Sequence, residues 1–250
     1  MKFPREIGLK RALVNQKPVY ENYVRKLGRL SSCYTSLYAF KNVDEEGKPD
    51  YRTAIIDRAW WDFDAGERGG IELVKQDVAK LIGRLVGDVR LVATGRGFHI
   101  HQIFSQSVVG EEYRLPLEHY QRRMARGLVT LDGVGFPEKM TRIPSTYNPK
   151  RNRWAVIIDA QEFAKNPENY HIPTTPSPKY EHLDPFGDCN TENGFDFVSW
   201  VADYKPIKDD YTVVESVELE EGFLNAGTVP LMPCLAHAVN QDNPPHHVRV

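Results

Sequence analysis

Apolar residues recur at helical spacing in Tyr20, Tyr23, Val24, Leu27 and Leu30, and residues 33–40 then switch to a strand-like run. A polar, turn-rich connector over 42–50 leads into a long apolar stretch that carries Ile55, Ile56, Trp60, Trp61 and Phe63. This predicts a largely buried strand ending at Asp64. Ile71, Val74, Val78, Leu81, Ile82 and Leu85 place an apolar stripe on the next helix, which Gly87-Asp88 stops. A strand over 90–93, a tight turn at Gly95-Arg96-Gly97 and a strand over 98–104 follow. Leu117, Tyr120, Met124 and Leu128 share one side of a further helix, and 154–159 reads as another strand.

The order from the long strand onward is β-α-β-β. The expected fold class is therefore mixed α/β of the α+β kind, with a split β-α-β unit of the ferredoxin-like or RNA-recognition-like type packed on an N-terminal α/β unit. From Asn166 onward Pro, Asn, Asp and Thr thicken. Residues 166–225 accordingly read as a linker or peripheral segment after a core spanning 1–165.

Composition narrows the classes. With 250 residues, 41% hydrophobic and 26% charged, the chain resembles ordinary globular proteins and can bury its own core. A formal net charge of −2 excludes a bulk-basic binder of the histone kind, so nucleic acid would be met by local patches. Two exist, at 121–126 and at 139–153, the second holding Lys139, Arg142, Lys150, Arg151 and Arg153. Cys33, Cys189 and Cys234 are far apart, odd in number and form no Cys-x-x-Cys pair, so neither a disulfide framework nor a zinc ribbon is indicated, which suits a reducing compartment. With no apolar stretch long enough to span a bilayer and no apolar signal region at the N-terminus, the expectation is a cytoplasmic protein without membrane contact.

Candidate chemistry lies at the strand ends. Alternate strand residues share a face, so Asp62 and Asp64 point one way while Phe63 packs behind, and His99 and His101 are likewise paired. Two neighbouring carboxylates repel, and the usual relief is a divalent cation whose shell is completed by phosphate oxygens. The basic Gly95-Arg96-Gly97 turn beside them suggests a phosphate-bearing substrate. Trp60 and Trp61 read as core.

Taken in order, Asp62-Phe63-Asp64, then Gly95-Arg96-Gly97-Phe98-His99, then Leu131-Asp132 and the 142–150 segment resemble the motif set of the archaeo-eukaryotic primase superfamily. The likeness is greatest to the small catalytic primase subunit and to plasmid or viral primase-polymerases. Pro4-Arg5-Glu6-Ile7-Gly8 resembles that family's Arg-Glu-Phe segment, and Tyr34-Thr35-Ser36-Leu37-Tyr38 its Tyr-x-Ser strand. The resemblance implies a DNA primase that uses two Mg2+ or Mn2+ ions held by Asp62, Asp64 and Asp132, with Asp159 competing for the third place. It implies that Arg96 and His99 grip the triphosphate of an incoming NTP or dNTP. Arg142, Asn148, Lys150 and Arg5 are further nucleotide contacts on the same ground, although Asn148 stands where many relatives have histidine.

The implied partners are a single-stranded DNA template together with a helicase or helical-bundle domain in cis, or a large primase subunit. The 226–250 segment, with Pro233-Cys234 and the later His246-His247-Val248-Arg249, resembles the start of such a helical bundle.

Two alternatives stand beside this reading. His99-Ile100-His101 also matches the His-hydrophobe-His signature of rolling-circle replication endonucleases, with Tyr120 as the helical nucleophile. A non-catalytic nucleic-acid-binding module would use the same sheet without needing its acids.

Overall fold

The computed structural model of the chain describes residues 2–66, 70–171, 174–175 and 192–205. Cys189, most of 172–191 and all of 206–250, including the segment likened to a helical bundle, lie outside the described residues.

Arg5–Ile7 (β1) and Ala12–Val14 (β2) form an antiparallel hairpin, and Lys17–Leu27 (α1) buries Tyr20 beside it. The strand expected over 33–40 is broken. Tyr34–Ser36 (β3) pairs with β1, whereas Ala39–Phe40 (β4) leaves for a second sheet. The corner between them is stabilised by the Arg5 guanidinium, which donates to the carbonyls of Ser36 at 2.7 Å and Leu37 at 3.3 Å. Backbone acceptors that no ladder satisfies are thereby paired.

The second sheet holds the predicted β-α-β-β unit. Ala54–Asp64 (β5), Gly70–Ile82 (α2), Val89–Ala93 (β6) and Gly97–Val109 (β7) come in that order. β7 lies between β5 and β6 and is antiparallel to both, which is the split β-α-β connection. Arg114–Met124 (α3) then leads to Leu131–Val134 (β8), which pairs antiparallel with the C-terminal end of β5 while β4 takes its N-terminal end. Met140–Arg142 (β9) crosses back to pair with β3.

The strand expected over 154–159 is also divided. Arg153–Trp154 (β11) forms a hairpin with Tyr147–Asn148 (β10), and Val156–Ile158 (β12) joins the edge of β6. Ala155 between them donates its N–H to the Thr146 carbonyl and accepts from the Ser145 N–H. Ala160–Lys165 (α4) follows, capped by Asp159. Part of the expected peripheral segment is anchored to the core. Phe195 makes a parallel bridge to Phe104 on β7, and Phe197 of helix Phe197–Ala202 (α5) stacks on the Phe104 ring at 4.5 Å.

The pleat sorts the large sheet into two faces. Trp61, Phe63, Phe98 and Ile100 are fully buried in one cluster with Val74, Val78 and Leu81 of α2 and Leu117 and Tyr120 of α3. Trp60, Asp62 and Asp64 point to the other face, opposite His101, His99 and Gly97 respectively. Gly97 is sterically required: a Cβ there would sit 1.9 Å from the Phe63 carbonyl oxygen. Among the described residues no helix is long and apolar enough to cross a membrane.

Candidate functional site

β5 delivers Asp62 and Asp64 to the end of the sheet where the helix-free face opens. Asp64 accepts from Arg96 Nε at 2.6 Å and from the Gly66 backbone N–H at 2.9 Å. Burial acts to raise its pKa, but the Arg96 hydrogen bond and the charges of Arg96 and Arg151 outweigh it, so Asp64 stays below the usual carboxylate range. Asp62 behaves oppositely. Burial first, then repulsion from Asp132, push it up to about 7, against the pull of Lys139 and Arg142.

His99 stands directly across from Asp62, its Nε2 3.5 Å from Oδ1 and its Nδ1 3.0 Å from the Thr141 hydroxyl of β9. Burial and the nearby Arg142 and Lys139 hold the imidazole down to about 3, so it is neutral. A neutral ring has one donor and one acceptor nitrogen. The 3.0 Å contact to Thr141 suits either tautomer: Nδ1 accepts from the hydroxyl when Nε2 carries the proton and donates to it otherwise. His101, deeper on the same face and 1% exposed, is held well below its ordinary pKa by burial and by the charge of Arg58.

Cations surround this acidic floor. Lys139 Nζ lies 5.6 Å from the Trp60 ring centroid, and Arg142 donates to Ser32 Oγ at 3.0 Å and Tyr34 Oη at 2.9 Å. Both act electrostatically on Asp62. Asp132 is exposed on β8, whose Gly133 pairs with Asp62, and it also acts on Arg96.

The structure thus gathers Asp62, Asp64, Asp132, Arg96, His99 and Arg142 at one strand end. Asp159 is elsewhere occupied, its carboxylate capping α4 through the Glu162 N–H at 2.8 Å. Asn148 donates to the Thr94 carbonyl at 3.2 Å and so braces the Gly95 turn. Lys150 is exposed in the turn between β10 and β11. Arg5 has a different task from phosphate binding: it is 1% exposed and bonded to backbone carbonyls. Three further residues at the site carry no individual mark in the sequence. Lys139 and Arg151 belong to the basic run, but nothing in the pattern points to Thr141, because β9 is three residues long and its pairing is non-local.

Tyr120 lies on the wrong side of the sheet for the rolling-circle alternative. Its buried hydroxyl donates to Gln102 Oε1 at 2.6 Å, and Gln102 is out of step with His99 and His101 along β7. Burial also raises the phenol's pKa further from any useful nucleophile.

The donor set bears on a metal. Among the described residues no three His, Cys, Asp or Glu side chains form a ready-made metal-binding group. Two hard carboxylates on one strand face, Asp62 without an ion-pair partner of its own and Asp64 held by Arg96, nonetheless fit Mg2+ or Mn2+, since Mg2+ characteristically takes one or two protein carboxylates and fills its shell with water and substrate phosphate. The residues fit such an ion shared with a ligand better than a closed protein cage. No protein-family model matches this chain, and no curated protein matches it.

Proposed function

We propose that this chain is a template-dependent nucleotidyltransferase, a DNA primase or primase-polymerase that makes or extends primers on single-stranded DNA. In this reading the β-α-β-β unit and the N-terminal sheet form a primase catalytic core. One observation carries it: Asp62 and Asp64 share the open end of a buried strand face, with Asp132 in electrostatic range and Arg96, Lys139, Arg142 and Arg151 around them. Acids ringed by cations suit a metal–triphosphate ligand, which brings both signs of charge.

When bound by these carboxylates, Mg2+ or Mn2+ supplies the charge that lowers the pKa of an attacking hydroxyl and offsets that of departing pyrophosphate. The protein's own part is positioning and electrostatics. Asp62 must lose its proton to act as a ligand, and Asp64 must share or release Arg96. His99, fixed by Thr141, presents Nε2 to the same space as Asp62. Arg142 and Lys139 keep positive potential over the floor where phosphate oxygens would lie, and the basic turn at Lys150 and Arg151 offers sequence-indifferent contacts to a template strand.

The test is incorporation of labelled nucleotides on single-stranded template with Mn2+ or Mg2+, with and without a primer. Asp62→Asn and Asp64→Asn are expected to lower incorporation by roughly three or more powers of ten while the far-UV spectrum is kept. Substantial activity in both variants would overturn the reading.

A further inference from the structure

Arg96 belongs to two places at once. Its Nε holds Asp64, and its side chain also lines a cavity of about 480 Å³ formed with Ile71, Glu72 and Lys75 of α2, Gly95, Arg153, Tyr170 and His171. That volume lies within the range of roughly 300–1,000 Å³ usual for small-molecule sites.

The lining is lopsided in charge. Lys75, Arg96 and Arg153 face a single carboxylate, Glu72. Lys75 is nearly buried, its side chain 7% exposed, yet its partner Glu72 at 2.9 Å is 64% exposed and therefore free to swing away. Arg153 has one guanidinium nitrogen on the neighbouring Asn152 carbonyl. The Tyr170 ring packs on Phe98 and Phe163, and its hydroxyl is buried with no hydrogen-bond partner among the described residues. Three cations on one lining and an apolar flank from Ile71 and Tyr170 together make a receptor for an anion carried on an organic group.

We propose that this cavity is a phosphate-binding subsite next to the acidic floor, and that a phosphate in it draws Arg96 away from Asp64. The ligand chemistry is a phosphate ester, from either the polyphosphate of a nucleotide or the backbone of a nucleic-acid strand. The inference deepens the nucleotidyl-transfer reading and rests on it for the meaning of the anion, but the binding itself needs no turnover. Arg96 cannot satisfy Asp64 and a phosphate equally well. Filling the cavity therefore frees Asp64, and the subsite reports occupancy to the carboxylate that the proposed chemistry requires.

The experiment is isothermal titration of the full chain, in EDTA and at low salt, with sodium tripolyphosphate. Competing arms contain dATP or a pentathymidylate lacking terminal phosphates. Arg153→Ala and the near-isosteric Lys75→Met are each expected to raise the tripolyphosphate Kd about tenfold, the loss of one charge-assisted contact. Arg153 is the more accessible of the two, so its variant stands if Lys75→Met fails to fold. Asp64→Asn is expected to tighten binding at least about threefold more than Asp132→Asn. Both remove one negative charge near Arg96, but only Asp64 holds its guanidinium.

Competition by dATP alone assigns the cavity to a nucleotide, and competition by the oligonucleotide assigns it to a strand. Unchanged affinity in Arg153→Ala, competition by neither ligand, or equal effects of the two Asp→Asn changes would overturn the proposal. Intact tripolyphosphate binding in a protein that incorporates no nucleotide would instead sink the polymerase reading and leave the subsite standing.

Discussion

Two ends of one strand face treat charge in opposite ways. At the inner end of β5, Arg58 and Asp57 are 0% and 2% exposed, and Arg58 Nε donates to Asp57 Oδ1 at 2.7 Å. A β-bulge between Ile56 and Arg58 departs from strict alternation, which lets the consecutive Asp57 and Arg58 meet. At the outer end Asp62 has no such partner. A neutral histidine stands 3.5 Å away, beyond good hydrogen-bond range, and the pKa of Asp62 climbs to about 7. A buried charge satisfied at once by its own chain serves structure, whereas Asp62, partly exposed and without such a partner, is under the proposed function the one left for a ligand to complete.

Breaking each end should therefore have opposite consequences for stability. Asp57→Ala removes the carboxylate that Arg58 Nε and Nη2 bond within the buried interior and is expected to cost about 3–5 kcal/mol, as removal of one member of a buried pair does. Asp62→Asn removes a repelled carboxylate and should leave metal-free stability equal or higher at pH 8 while abolishing incorporation. Urea denaturation of both variants at that pH checks the contrast. An Asp62→Asn protein as unstable as Asp57→Ala would mean that the outer acid is structural too.

A pH series sharpens the same contrast. Because the folded pKa of Asp62 is raised from 3.8 to about 7, its contribution to stability is fully present below about pH 4 and is lost as pH rises through 7. His99, lowered to about 3, works the other way: its contribution is present above about pH 6.5 and is lost as pH falls towards 3. His99 is common to wild type and Asp62→Asn, so the difference between their melting temperatures isolates the carboxylate. It should grow in the variant's favour by several degrees between pH 4 and 7 and then level off. Mg2+ should stabilise the wild type more at pH 8 than at pH 5.5, because the proton must leave first. A pH-independent difference would remove the basis for treating Asp62 as a poised ligand.

Sequence pattern makes the sheet's organisation legible where the signal is local. The apolar stripe from Ile71 to Leu85 marks α2 and the alternation around Asp62 marks the candidate functional face, because both follow from the periods of helix and strand. It does not reveal that 33–40 and 154–159 each divide between two sheets. Those breaks depend on partners far along the chain, the Arg5 guanidinium for the first and the backbones of Ser145 and Thr146 for the second. The candidate site divides in the same way. Asp62, Asp64, Arg96 and His99 lie on contiguous strand-turn segments, while Thr141 enters only through the β3–β9 pairing. Arg5 departs from its expected role as a nucleotide contact because a charged residue near the N-terminus gives no sign in sequence of being buried against carbonyls.

The smallest expected effect belongs to Tyr120, on the helix-covered face. If that face is structural and the Asp62 face functional, Tyr120→Phe should leave incorporation within about twofold of wild type. Its only loss is the 2.6 Å hydrogen bond to Gln102. That loss should cost about 1 kcal/mol, somewhat more because the Gln102 carbonyl is left buried without its donor. The ring itself remains, stacked at 4.8 Å on Phe195 and edge-on to Trp200 at 5.0 Å, so α5 stays anchored to the sheet. A rolling-circle nuclease would instead require this hydroxyl to attack a phosphodiester and carry the strand covalently. Incubation of wild type with single-stranded DNA and Mn2+, followed by denaturing electrophoresis, should give no protein–DNA adduct. An adduct that appears in the wild type and vanishes in Tyr120→Phe would require the sheet to expose its buried face, and would reverse the assignment of the two faces.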